Sequence, residues 1–508
     1  MPSNTARIAK NTLMLYFRQI LSMLVSLYTV RVVLETLGVE DYGIYNVVAG
    51  VVVLFSFLNQ AMANSTQRFL NFAMGQNDIE QARNVFNVGF YIAILTAVLV
   101  VILAETVGIW LFFTWLNIPA ERQFAAFVVY QLSVITTVIN IIRIQYHAVI
   151  IAYEKMSFFA WISIVENILK LVIVFLLTVS SFDRLIVYAV LVSIVGVIVF
   201  FAYKVYCNSR FEIANFRYCK DKELFRRLAG FSGWNLFGGF ANVGKDHGIN
   251  ILINIFHGVT VNAAMGIATQ INLAVYQFVS NFQTASNPQI IKSYAAKDYS
   301  YLNQLVFQTS KMSFCLLFFF VLPLYINMDF VLHIWLKNVP EYTVVFTRLI
   351  LLSSLADAIV GPLWASINAT GNIKKYQLIA SGIVFANIPL SLVFLLAGFD
   401  PAWVLIVKTG LNFFILVWHI FFLSKLIIFH IMDFFLKVII PISIIMAVSC
   451  FITVFLHSLF VGLAAFIISC IASTLCIACL VYCIGLNTQE KKLLQNWIKR
   501  KISKCEVK

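Results

Sequence analysis

Asn167–Leu177 reads NILKLVIVFLL, and 220 residues further on Asn387–Leu396 reads NIPLSLVFLL. Each sits in an apolar stretch of about 20 residues, the length that crosses a bilayer as a helix. Other pairs keep the same order and nearly the same offset. WLNIP (Trp115–Pro119) answers WLKNVP (Trp335–Pro340), and SFDR (Ser181–Arg184) answers GFDP (Gly398–Pro401). Gly38-Val39 matches Gly258-Val259, and Gln60 with Asn64 matches Gln283 with Asn287. Any one match is weak, but their preserved order makes the chain one unit used twice.

Composition fixes the solvent. The chain is 61% hydrophobic and 11% charged, with a mean hydropathy of +0.91. A soluble domain runs nearer half apolar and a quarter charged. The period-two alternation of barrel strands is absent, so the expected class is an all-α integral membrane protein. Apolar runs predict about 14 transmembrane helices: 12–34, 43–63, 86–113, 122–150, 157–178, 183–207, 229–255, 261–286, 305–327, 342–370, 376–397, 401–424, 436–456 and 459–485. Arg7 and Lys10 precede the first run as in a signal peptide, but the run is too long for one and lacks a small-residue cleavage site. It reads as an uncleaved helix.

The net charge of +14 is topological. Of the 36 Lys and Arg, only Arg122, Arg184 and Lys337 fall in loops expected outside. Most others lie on segments expected in the cytoplasm, a strong positive-inside bias with both termini cytoplasmic. That distribution argues against nucleic acid as a partner. An even number of spans per unit gives both copies the same orientation, two parallel-repeat lobes of six helices each. The expected division is an N-terminal lobe 1–207, a basic cytoplasmic linker 208–228, a C-terminal lobe 229–425, two extra helices 426–486 and a basic tail 487–508. The amphipathic tail suits anionic lipid on the inner leaflet. Cys476, Cys479 and Cys483 share a helical face without a His partner nearby, which suggests helix packing rather than a metal site.

Twelve ionisable residues fall within spans: Arg18, Arg31, Arg143, Lys170, Lys245, Lys311, Arg348 and Lys408 against Glu105, Glu166, Asp246 and Asp357. At mid-membrane each costs about 2.5–3.5 kcal/mol even on the mild insertion scale. The central ones should therefore face protein or water, and a cavity between the two lobes would serve. Gly239, Gly244 and Lys245 mimic a phosphate-binding loop, but no strand precedes them and Asp246 stands where Ser or Thr would hold Mg²⁺. Nucleotide binding is not expected. Asn242, Asp246, Asn250 and Asn254 instead form a polar stripe, with His247 at its margin and Lys245 about 100° away. Gly233, Gly238, Gly239, Gly244 and Gly248 permit close packing or a helix break. The stripe either lines a cavity or glues helices together. Glu166 and Lys170, four apart, can neutralise each other. Arg143 and His147 share a face that could meet a phosphate or anchor at the interface. Arg18 shares its face with Ser22 and Thr29, and Lys408 lies in the outer half of its span. Candidate cargo contacts are thus Arg18, Arg143, His147, Lys245, Asp246, His247, Asn242, Asn250 and Lys408. Asp246, Asp357 and Glu166 are candidates for coupling to H⁺ or Na⁺; no other cofactor, metal or catalytic constellation is expected.

TVRVVLETLGVEDYGIYNVVAG (Thr29–Gly50), followed by NQAMANSTQRFL (Asn59–Leu70), resembles the opening of bacterial polysaccharide exporters. These are the O-antigen or Wzx-type flippases of the multidrug/oligosaccharidyl-lipid/polysaccharide (MOP) superfamily. The resemblance spans roughly residues 7–425; the last two spans depart from the twelve-span pattern, although related lipid II flippases have fourteen. It implies two lobes open alternately to each side of a bacterial inner membrane, moving an undecaprenyl-diphosphate-linked oligosaccharide outward. Expected partners are that lipid-linked oligosaccharide, membrane lipids and glycan polymerase machinery. The surplus of bases over acids within spans suits an anionic carrier. A multidrug/cation antiporter of the same superfamily would instead present acids to its cargo. A glycan polymerase or ligase would need a large outer loop, and none exceeds about 15 residues.

Overall fold

A computed structural model of the chain describes residues 11–25, 56–114, 118–179, 182–219, 221–336, 339–460 and 462–485, with scattered positions between 29 and 48 and Lys491. Among them the regular structure is helical, without a strand. Among the described residues ten helices are long and apolar enough to cross a membrane, and the protein is a multi-pass, all-α membrane protein. It forms two compact units, Ile8–Phe240 and Ala241–Lys508.

In the N-terminal unit the helices are α1 (residues 11–25), α2 (Ser56–Gly75), α3 (Ile79–Thr114), α4 (Gln123–Ala152), α5 (Met156–Val179) and α6 (Arg184–Arg210). Helix α2 runs well past the expected end at 63, because Leu70 and Ala73 keep an apolar face buried to its last turn. The next helix begins at Lys222, inside the expected linker, where Asp221 accepts a hydrogen bond from the Leu224 amide at 2.8 Å. It runs to Ala295 with one break at Gly258 (φ 78°, ψ −175°), a conformation only glycine adopts without strain. The two expected spans 229–255 and 261–286 lie on either side of that break, as α7 (residues 222–257) and α8 (residues 259–295). The rest are α9 (Tyr299–Ile326), α10 (Met328–Trp335), α11 (Thr343–Thr370), α12 (Lys374–Leu396), α13 (Ala402–Leu426), α14 (Ile431–Ser458) and α15 (Gly462–Gly485).

The sequence repeat is a structural repeat. After α2, Asn77 takes the left-handed conformation (φ 58°) and Asp78 caps α3 by accepting from the Gln81 amide. After α8, Lys297 does the same (φ 59°) and Asp298 caps α9 through the Tyr301 amide. One turn is thus built twice, 220 residues apart, and side-chain capping fixes where each helix restarts. Packing repeats as well. Helix α4 is the hub of the first unit, against α2, α3 and α6; its counterpart α11 is the hub of the second, against α9 and α13. The last two helices pack on each other and on α9. There the Asn327 amide donates to Ser469 Oγ at 2.8 Å, and Cys476 Sγ reaches Ser449 Oγ at 3.6 Å, so that cysteine serves helix packing.

Loops of the N-terminal unit sort to two ends. At one end Arg122 is ion-paired with both Asp41 and Asp183, and Arg184 Nη1 donates to the Thr36 carbonyl at 3.2 Å. At the other, Arg83 pairs with Glu212, and the Arg217 amide donates to Asn87 Oδ1 at 3.0 Å. Three loops expected on one side of the membrane therefore meet at one end.

Candidate functional site

The charged residues of the first unit converge because short helical spacings coincide on neighbouring helices. The α4–α5 turn passes through Glu154 in the left-handed region (φ 56°) and returns α5 along α4. Arg143 and His147 are one turn apart on α4, and Glu166 and Lys170 one turn apart on α5. The Glu166 carboxylate accepts from Lys170 Nζ at 2.8 Å and lies 3.6 Å from an Arg143 nitrogen. Neutralisation within α5 is real, and a second cation on α4 joins it.

Arg18 reaches the same group through an aromatic ring. Its guanidinium carbon is 4.6 Å from the centroid of Phe159, whose other neighbour is the His147 ring at 4.9 Å. Arg143 stands 5.7 Å from the ring of Tyr203 on α6. One turn along α1 from Arg18, Ser22 Oγ accepts from Asn167 Nδ2 at 2.7 Å, which ties α1 to α5. Arg143, Glu166 and Lys170 side chains are 25%, 28% and 42% exposed. Among the described residues, Arg143 and Lys170 thus share one carboxylate beside Arg18, and all three side chains of that ion group are partly exposed. Guanidinium groups can grip phosphate oxygens in pairs, and here the aromatic rings of Phe159 and Tyr203 hold those of Arg18 and Arg143 by cation–π contact.

A different polar centre forms in the second unit, where α11 crosses α13. The Asn412 amide donates to Asp357 Oδ1 at 2.9 Å and to Ser353 Oγ at 2.8 Å. Next to Ser353, the Ser354 hydroxyl donates to Asn272 Oδ1 of α8 at 2.5 Å. Lys408 is one turn before Asn412 and half-buried. Carboxylate, amide and hydroxyl oxygens on three helices suit a proton or a small hard cation.

The polar stripe of α7 belongs to the second unit too. Asn242 is exposed and Lys245 and Asn250 are half-buried; the side chains of Asp246 and His247 lie outside the described residues. The helix is unbroken along this stripe, so the break that its glycines permit is found only at Gly258. Gly248 serves packing: a Cβ there would lie 2.8 Å from Cδ1 of Ile388. Arg348 is an anchor at a helix end, bonded to the Tyr325 carbonyl at 3.0 Å and to Asp329 at 2.9 Å.

The structure thus unites Arg18, Arg143, His147 and Glu166, and places Asn242, Lys245, Asn250, Asp357 and Lys408 in the other unit. Sequence reasoning missed Phe159 and Tyr203, since two aromatics among 47 Phe and 20 Tyr carry no signal. Asn412 was findable: it lies four residues after Lys408, on the same helical face.

No family model matches this chain, and no curated protein does. Solved structures do. An outward-facing multidrug resistance MATE family transporter of the MOP superfamily aligns with a TM-score of 0.71 at 13% identity, covering 82% of this chain and 96% of the other. A mutant of the Vibrio cholerae MATE transporter VcmN gives 0.67 at 15% identity, covering 83% and 96%. A MOP superfamily transporter from Pyrococcus furiosus, described as having a binding pocket of reverse polarity that suggests a different function, gives 0.64 at 12%, covering 82% and 96%. The fold is that of MATE transporters.

Proposed function

We propose that this protein is a flippase that carries an undecaprenyl-diphosphate-linked oligosaccharide, an O-antigen or capsule repeat unit, from the inner to the outer leaflet by alternating access. The observation that carries this reading is the partly exposed cluster in which two cations, Arg143 and Lys170, share a single carboxylate, Glu166, beside Arg18. An excess of cations at membrane depth is costly without an anionic counterpart, and a diphosphate headgroup supplies one. Phe159 and Tyr203 hold Arg18 and Arg143 in place beside it. Outward movement of that anion gains about 2.3 kcal/mol per charge per 100 mV from an inside-negative potential. The protein acts in a bacterial cytoplasmic membrane with both termini in the cytoplasm, beside glycan polymerase machinery.

Replacing Arg18, Arg143 and Lys170 together by Ala should abolish surface glycan while leaving membrane insertion intact. Normal glycan display by that variant would reject the reading.

A second reading, a multidrug/cation antiporter, is favoured by the Asp357–Asn412–Ser353 centre and by the likeness to MATE transporters. On it, Asp357 exchanges H⁺ or Na⁺ for a cationic drug. Under the flippase reading the same carboxylate couples an ion to glycan export. Asp246 is a further coupling candidate; Glu166 is less suited, since two cations already engage it. Drug resistance that disappears with the proton gradient would favour the antiporter.

A further inference from the structure

We infer that α3 and α4 carry a docking face for a second copy of this chain, centred on Glu105 and Gln131. The face begins with a distortion. Within α3, Ala104–Gly108 widens into a single π turn, a device frequent at functional sites. The Tyr130 hydroxyl holds it open by donating to the Ala104 carbonyl at 2.7 Å. It occupies the space beside Gly108, where a Cβ would lie only 2.0 Å from that oxygen. The extra residue in the turn turns Glu105 and Thr106 to the outer surface.

That surface is otherwise made for acyl chains. Leu95, Ile102, Trp110 and Phe113 of α3 are exposed, as are Phe124 and Ile135 of α4. A face this apolar meets lipid, not a water-filled passage. In its middle the Glu105 carboxylate accepts one hydrogen bond among the described residues, from Gln131 Nε2 at 3.3 Å. A carboxylate has room for about four such bonds, and lipid offers none.

The pair chooses its occupant. A two-fold interface requires that residue i of one copy meet residue j of the other and the reverse. Glu105 supplies an acceptor and Gln131 a donor side by side, so two copies facing each other exchange Glu105–Gln131 bonds in both directions. An unrelated helix would need a donor matched in depth; a second copy has one by construction. The inference stands apart from the cargo question, because none of these residues belongs to the charged cluster.

The test uses the full-length chain, labelled with donor or acceptor dye, in liposomes of decreasing protein density. Wild type should show energy transfer that falls with dilution. Glu105→Leu and Gln131→Leu should each need at least about tenfold higher density for the same transfer. Mixing the two leucine variants should recover association between unlike chains, since one Glu105–Gln131 contact survives in that pair. The exchanged variant Glu105→Gln/Gln131→Glu should match wild type. Both leucines face lipid, and circular dichroism checks that the helices persist. Wild type that stays monomeric at every density, or leucine variants that associate like wild type, would overturn the inference.

Discussion

Arg143 on α4 and Glu166 on α5 stand 3.6 Å apart, and the same carboxylate is bonded to Lys170 at 2.8 Å. One acid therefore holds two cations from adjacent helices near Arg18 and its aromatic neighbour. Removing the acid should separate stability from cargo binding. Glu166→Gln should lower the unfolding free energy only slightly, by about 1 kcal/mol or less, because all three groups are partly exposed. It should strengthen retention of a diphosphate lipid in a native-membrane pull-down. A weaker retention would show that Glu166 positions the cations rather than merely balancing them.

Tyr130 and Gly108 form a lock that size alone can break. Gly108→Ala drives a methyl into the Tyr130 hydroxyl and should cost about 1–3 kcal/mol by overpacking. Tyr130→Phe should lose about 1–2 kcal/mol with the buried hydrogen bond to Ala104. Combining the two should cost less than their sum, as measured by unfolding in detergent. Strict additivity would mean that the two positions do not touch.

The three-residue tie at one end of the first unit should be asymmetric. Arg122→Ala leaves Asp41, whose side chain is 8% exposed, without its guanidinium, at a cost of about 2–3 kcal/mol. Asp183→Ala leaves Arg122 paired with Asp41, but loses a cap that accepts from the Leu185 and Ile186 amides, worth about 1 kcal/mol. Thermal unfolding should rank Arg122→Ala as the more damaging. The reverse order would place the strength of this end in the cap.

The Asp357 centre should set ion dependence without setting cargo affinity. Asp357→Asn keeps the side-chain shape beside Asn412 and Ser353 but removes the charge. Transport by the variant in proteoliposomes should become insensitive to H⁺ or Na⁺ gradients while cargo binding stays within about twofold. An unchanged gradient dependence would move coupling elsewhere.

The twin turns should answer alike. Asp78→Ala and Asp298→Ala each remove the acceptor for one backbone amide, so each should cost about 1 kcal/mol in unfolding experiments. A large difference between them would mean that the repeat has diverged at these caps.

Much of the architecture was legible in the chain. Apolar runs set helix length against bilayer thickness, and the shared offset of NILKLVIVFLL and NIPLSLVFLL announced a doubled unit. The pairing of Glu166 with Lys170 followed from helical periodicity, which is local. The end of α2 does not follow from hydropathy, because its last turns are held by burial of Leu70 and Ala73.

What the sequence alone determined is the solvent this protein lives in, the repeat, and the pairing of Glu166 with Lys170, because hydrophobic length and helical period act within one segment. Only tertiary structure decided that Arg143 meets Glu166, that Phe159 bridges Arg18 and His147, and that Asp357 belongs to a different centre with Asn412. Those choices depend on how helices cross, and crossing is set by side chains that are far apart in the chain and adjacent only once it is folded.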